Sequence, residues 1–173
     1  MRCAMTGRPI RDISEGVWDD GEWISWDWIN GQLADQELQQ EFPKANLEVV
    51  KIFEDLVALA QAYREVTGRY LQIWGELGEL YAEIKFGVVR HRPGAQGSDG
   101  RIGNDWIEVK AISPEKTNET IHVKRSGNFN KLLVVKISEA FEFEARIIDR
   151  RALKKGRGSR AHASWKSMPK CDE

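Results

Sequence analysis

From Leu47 to Val66 apolar residues return every three or four positions. Val50, Phe53, Val57, Ala60 and Tyr63 fall on one stripe. That period predicts an amphipathic helix, with Asn46 placed to cap its start and Thr67-Gly68 to stop it. A second helix is predicted from about Arg69 to Phe86, ending at Gly87, with Leu71, Trp74, Leu77 and Tyr81 on its buried side. Beyond it the period changes to two. Val88-Val89 starts a short strand. In DWIEVKAI the side chains of Ile107, Val109 and Ala111 face one way and those of Trp106, Glu108 and Lys110 the other. ETIHVKR reads as a further short strand. KLLVVKI, from Lys131 to Ile137, is the unbroken apolar run of a strand buried on both faces. FEFEARIID alternates over Phe141, Phe143, Ala145 and Ile147 and is expected beside it, across a turn at Ser138 to Ala140.

The two ends carry less pattern. Residues 1 to about 15 are poor in apolar side chains and predict little regular structure. Trp18, Trp23, Trp26 and Trp28 follow closely. Ile24, Trp26 and Trp28 alternate with Ser25 and Asp27, which predicts an extended segment. Its neighbours are acidic and disfavour phosphate, so these rings fit core packing or a protein interface better than base stacking. GQLADQELQQEFP is weakly helical. After the strands, RRALKKGRGSRAHASWKSMPKCDE reads as a loose basic tail with one helical turn near Ala152. The expected organisation is a Trp-rich segment and helix over 1–68, an α/β core with a small mixed central sheet over 69–150, and the tail over 151–173.

Composition adds bounds rather than detail. With 173 residues, 41% hydrophobic and 31% charged, the chain suits one soluble domain with a core of its own. Its net charge of -1 hides an asymmetry. Between Asp12 and Asp55 stand twelve acids and two lysines, whereas Arg146 to Lys170 holds nine Lys/Arg and the single acid Asp149. A basic C-terminal stretch of this kind favours a nucleic-acid partner. Cys3 and Cys171 form neither a disulfide framework nor a metal-ligand pattern, so a reducing, cytoplasmic setting is expected. No apolar run approaches membrane-spanning length, and MRCAMTGRPI lacks a signal core, so no membrane association is expected.

The chemistry concentrates in GSDGRIGNDWIEVK, Gly97 to Lys110. Asp99 sits in a glycine-framed turn, and Glu108 and Lys110 share one strand face. Two carboxylates beside an ammonium suit a hard divalent cation, Mg2+ or Mn2+, which takes oxygen ligands together with substrate phosphate. Just upstream, Glu76, Glu79 and Glu83 crowd one helix face with no Lys or Arg four residues after Glu76 or Glu79. A nearby cation, metal or lysine, would relieve them. Gly75 and Gly78, each costing about 1 kcal/mol in a helix interior, point to a close neighbour there.

Asp99 followed by Glu108-Val109-Lys110, after a helix carrying GELGELYAE, resembles the PD-(D/E)xK, or restriction-endonuclease-like, nuclease superfamily over about residues 69 to 150. The resemblance implies a metal-dependent endonuclease. Asp99 and Glu108 match its metal ligands, Lys110 its catalytic lysine and Glu79 its helix glutamate, with Glu76 the competing choice for that last role. Ser98 stands where that superfamily often has proline. Gln96 is a possible accessory contact. Lys124, Arg125, Arg150, Arg151, Lys154 and Lys155 are candidate phosphate contacts, and DNA is the expected substrate. A homodimer through the tryptophans around Trp26 is a further expectation. His91, His122 and His162 lack metal-ligand spacing, and Ser113 and Ser126 lack a base partner. The rival readings are a non-catalytic nucleic-acid-binding or protein-interaction module on the same fold and a hydrolase of small phosphoesters.

Overall fold

The computed structural model describes residues 1–156 and 158–171 as a mixed α/β protein with three α-helices and several sheets. Arg157, Asp172 and Glu173 of the basic segment lie outside the described residues. The chain divides into two units, Met1–Leu47 and Glu48–Glu173.

The first unit is more ordered at its start than its composition predicts. The Cys3 amide donates to Arg8 O (2.9 Å), Arg2 and Pro9 form a bridge, and the Ala4 amide donates to Trp23 O (2.9 Å), which buries Cys3. Strands β1 (Gly16–Asp19) and β2 (Glu22–Ser25) pair as an antiparallel hairpin whose turn residues, Asp20 and Gly21, have φ of 44° and 84°. Two successive left-handed residues match the twist of the flanking strands. The extended segment expected through Trp28 ends at Ser25. That hydroxyl accepts the Trp28 amide and caps α1, Trp26–Glu41. The cap outweighs the short alternation, so Trp26 and Trp28 are helical. Trp23 is buried, whereas Trp18 and Trp26 are exposed.

In the second unit α2 runs from Leu47 to Thr67, directly after Asn46 as expected, and stops at Gly68 with φ 66°. Helix α3 covers Trp74–Phe86 rather than beginning near Arg69. Gln72 and the Trp74 indole both donate to the Glu115 carboxylate (2.8 and 3.2 Å), while Tyr70, Leu71 and Ile73 pack on the core from outside the helix. The strands that follow are β3 (Val89–Arg90), β4 (Gly100–Ile102), β5 (Asp105–Ile112), β6 (Thr120–Lys124), β7 (Lys131–Ile137), β8 (Phe143–Asp149), β9 (Lys154–Lys155) and β10 (Arg160–Ser164). A five-stranded sheet has the order β3-β4-β5-β7-β8, with β5 and β7 parallel and the other neighbours antiparallel.

Strand β7 lies centrally and explains its own sequence. Leu133, Val135 and Ile137 enter a cluster with Ile107, Val109, Leu77 and Ala60, while Leu132 and Val134 enter another with Ile121, Val123, Ala161, Ala163 and Trp165. Each face of the strand meets an apolar layer, so no alternation survives. The second layer includes residues of a three-stranded sheet, β6-β10-β9. The expected loose tail is therefore corrected: β10 pairs with β6, and Trp165 and Met168 are buried. One element of the tail matches expectation, a 3-10 turn at Arg150–Ala152. Among the described residues no helix is long and apolar enough to cross a membrane.

Candidate active site

The site is built where the main sheet leaves one edge open. β4 covers the first residues of β5, Gly100 opposite Ile107 and Ile102 opposite Asp105. The ladder continues one step further through the Asp99 amide, which donates to Ile107 O at 2.9 Å. Beyond that point, among the described residues, no strand lies beside Val109 on this edge of β5. The Asp99 carboxylate takes the place of one, its Oδ2 accepting the Val109 amide at 2.7 Å. An aspartate in the turn thus completes a strand edge while bringing a charge to it.

Lys110 occupies the same spot. Its Nζ lies 2.7 Å from Glu108 Oε1 and 3.6 Å from Asp99 Oδ2, and it donates to Val109 O at 2.8 Å. Three oxygens, two carboxylate and one carbonyl, therefore surround one cation. Asp99, Glu108 and Lys110 are all partly buried. Glycine is required close by: Gly97 has φ 112°, and a Cβ there would lie 3.0 Å from Asn128 Cβ.

The glutamates of α3 find their cation in Arg90 of β3, neither a metal nor a lysine. Its guanidinium is 2.7 Å from Glu76 Oε1, 2.7 Å from Glu83 Oε2 and 4.0 Å from Glu79 Oε2. Glu76 and Glu83 are thus taken up by Arg90, and Glu76 is exposed. Glu79, 4.0 Å from Arg90, stays within electrostatic reach of Asp99 and Lys110. Burial, then the negative charges of Asp99 and Glu76, push its carboxyl above the ordinary range, with Arg90 and Lys110 opposing. Between the two helix glutamates, the one close to Asp99 and Lys110 is Glu79. Gly78 justifies one of the two helix glycines, because a Cβ there would meet Ala111 Cβ of β5 at 3.2 Å. Gly75 has nothing within 4 Å.

A cleft of about 950 Å³ opens over the site. Asp99, Glu108, Lys110 and Gln96 line it, and so do His122, Lys124 and Arg160 of the small sheet. His122 and Arg160 were not among the sequence candidates. The alternation of TIHVK is enough to put His122 on the face of Lys124. Arg160 carries no such signal, since its place depends on the distant β6–β10 pairing. Arg125, Arg151 and Lys155 line a second cleft that also includes Lys124, and Lys154 lies on β9. Arg150 has other work. Its Nη1 donates to Gly127 O (2.7 Å) and Phe129 O (3.0 Å), its Nη2 donates to Arg125 O, and the guanidinium lies over the Phe129 ring. Three of its five donors are held by backbone carbonyls, so it pins a loop, and it lines the second cleft as well.

The donor set can be weighed against a divalent cation. Among the described residues no three His, Cys, Asp or Glu side chains form a group that could hold a metal ion. What does converge is Asp99 Oδ2, Glu108 Oε1 and Val109 O around the Lys110 ammonium. That all-oxygen set has the hard character that Mg2+ and Mn2+ take, with water and substrate completing the shell. No protein-family model matches the chain, and no curated protein matches it.

Proposed function

We propose that the second unit is a restriction-endonuclease-like nuclease that hydrolyses nucleic-acid phosphodiester bonds, in DNA foremost, with Mg2+ or Mn2+. The observation that carries this reading is the trio of oxygens around the Lys110 ammonium at the open edge of β5. Asp99 and Glu108, with Val109 O, would hold the cation, whose chemistry is to polarise the phosphoryl group and acidify a water. Lys110, released from its two carboxylates, points its ammonium at the attacking water and at charge developing on the phosphate. Glu79, uphill to ionise beside Asp99, would orient a water of the site. The fold supports the assignment in its order: a glutamate helix, a hairpin bearing the aspartate and Glu-x-Lys, then a parallel neighbour strand.

The test incubates plasmid and oligonucleotide substrates with wild type, Lys110→Ala and Glu108→Ala in Mg2+ or Mn2+. Wild type is expected to cut, EDTA to abolish cutting, and each variant to lose at least about 100-fold, the lower range for removal of a positioned acid–base group. Added Mn2+ should also raise the melting temperature of wild type and leave Glu108→Ala unmoved. A wild type that cuts nothing across these substrates and metals rejects the reading and leaves the non-catalytic binding module in its place.

A further inference from the structure

The small sheet carries an arrangement that its own stability does not explain. Register places Arg160 opposite Lys124, His162 opposite His122 and Ser164 opposite Thr120, with Lys154 opposite His162 on the other side. The intervening residues, Ala161, Ala163, Ile121 and Val123, are buried. The cations, imidazoles and hydroxyls therefore share the face turned away from the core. Strands β6, β9 and β10 contain no Asp or Glu. Among the described residues, Lys124, Arg160 and Lys154 have no carboxylate within ion-pair distance.

Like charges directly opposite one another across a sheet destabilise it. Lysines on edge strands are a common guard against unwanted pairing, and that accounts for Lys124 on β6 and Lys154 on β9. It does not account for Arg160 and His162, which lie on the middle strand. A face with cations on its central strand and none of its own acids is complementary to an external polyanion. The face is also continuous with the catalytic cleft, because His122, Lys124 and Arg160 line that cleft together with Asp99, Glu108 and Lys110.

We propose that the outward face of β6-β10-β9 is a phosphate-binding track for the backbone of a nucleic-acid strand whose neighbouring phosphodiester lies in the cleft. Lys124 and Arg160 grip one phosphate, and His122, His162 and Lys154 meet the next. Successive rows lie two residues apart along the strand, roughly 6.8 Å, a step comparable to that between phosphates of one strand. The identity of the ligand rests on the nuclease reading above. The track itself rests on the register and charge of the small sheet.

The experiment measures binding without turnover. A fluorescein-labelled oligonucleotide, single-stranded and duplex, is titrated in EDTA at several salt concentrations, against wild type, Lys124→Gln/Arg160→Gln and, as a control, the exposed Lys85→Gln. Loss of two phosphate contacts is expected to reduce the slope of log K against log salt by roughly 1.8 on duplex, about 0.9 per contact. Lys85→Gln should leave the slope unchanged. A double variant with the wild-type slope overturns the track, and so does wild-type protein that binds inorganic polyphosphate but no oligonucleotide. The same proteins assayed in Mg2+ separate the two proposals. Cleavage by wild type with an unchanged slope removes the track alone. A reduced slope with no cleavage removes the nuclease reading and keeps the track.

Discussion

At the scale of single residues, position decides what each charge does. Glu76, Glu79 and Glu83 look equivalent on α3, yet Arg90 takes up the outer two and leaves Glu79 beside Asp99. Since its carboxyl is raised from 4.5, the folded protein holds this proton more tightly than the unfolded chain does. The penalty is absent at low pH. It grows as pH rises from about 4.5 and is complete above the raised value. Glu79→Gln removes the titration. Denaturant unfolding should therefore find the variant more stable than wild type at pH 7 and level with it near pH 4, while its cleavage rate falls. Equal stability at pH 7 would mean that Glu79 meets no net repulsion. The legible part of the site was Asp99, Glu108 and Lys110, because a turn and one strand bring them together locally. Arg90 and Arg150 were illegible. Both are spent on partners many positions away, and a sequence shows a guanidinium without showing what satisfies it.

At the scale of elements, the same helix carries two glycines with different reasons. A Cβ at Gly78 would press on Ala111 of β5, whereas one at Gly75 meets open space. Gly75→Ala should stabilise the protein by about 0.5–1 kcal/mol, the helix-propensity difference alone. Gly78→Ala should forfeit that gain and destabilise relative to Gly75→Ala, since the sheet backbone has to move to admit the methyl. Thermal unfolding of the two variants side by side reads the difference. The periodic elements, α2, β5, β7 and β8, were legible because each shows its buried face in its own spacing. The Trp26–Trp28 segment was misread as extended because its alternation spans only a few residues, and one hydroxyl at Ser25 was enough to start a helix instead. Strand β10 was missed for a different reason. Its inward residues are alanines, too small to mark a face, and glycines precede it.

At the scale of the molecule, both apolar clusters draw all their members from the second unit. Deleting residues 1–47 should leave cooperative thermal unfolding intact. Truncation after Leu153 should abolish it, because Ala161, Ala163, Trp165 and Met168 leave together. At roughly 1.5–3 kcal/mol for a large buried side chain, Trp165 and Met168 alone represent much of a domain's usual 5–15 kcal/mol margin. Circular dichroism melts of the two truncations decide the point. A cooperative melt from the C-terminal truncation would show that the second cluster is dispensable.

The pairing of β6 with β10 also sets an order of events during synthesis. β5, β6 and β7 are made well before β10, so the backbone edge of β6 and part of the apolar cluster around Ile121 and Val123 stay open until Ala161 and Ala163 arrive. A nascent chain passes through an interval in which an apolar strand is finished and its partner is not, the circumstance in which edges capture other chains. The charged face of β6 is present from the outset. Lys124 stands on the growing chain as a solvated, repulsive margin.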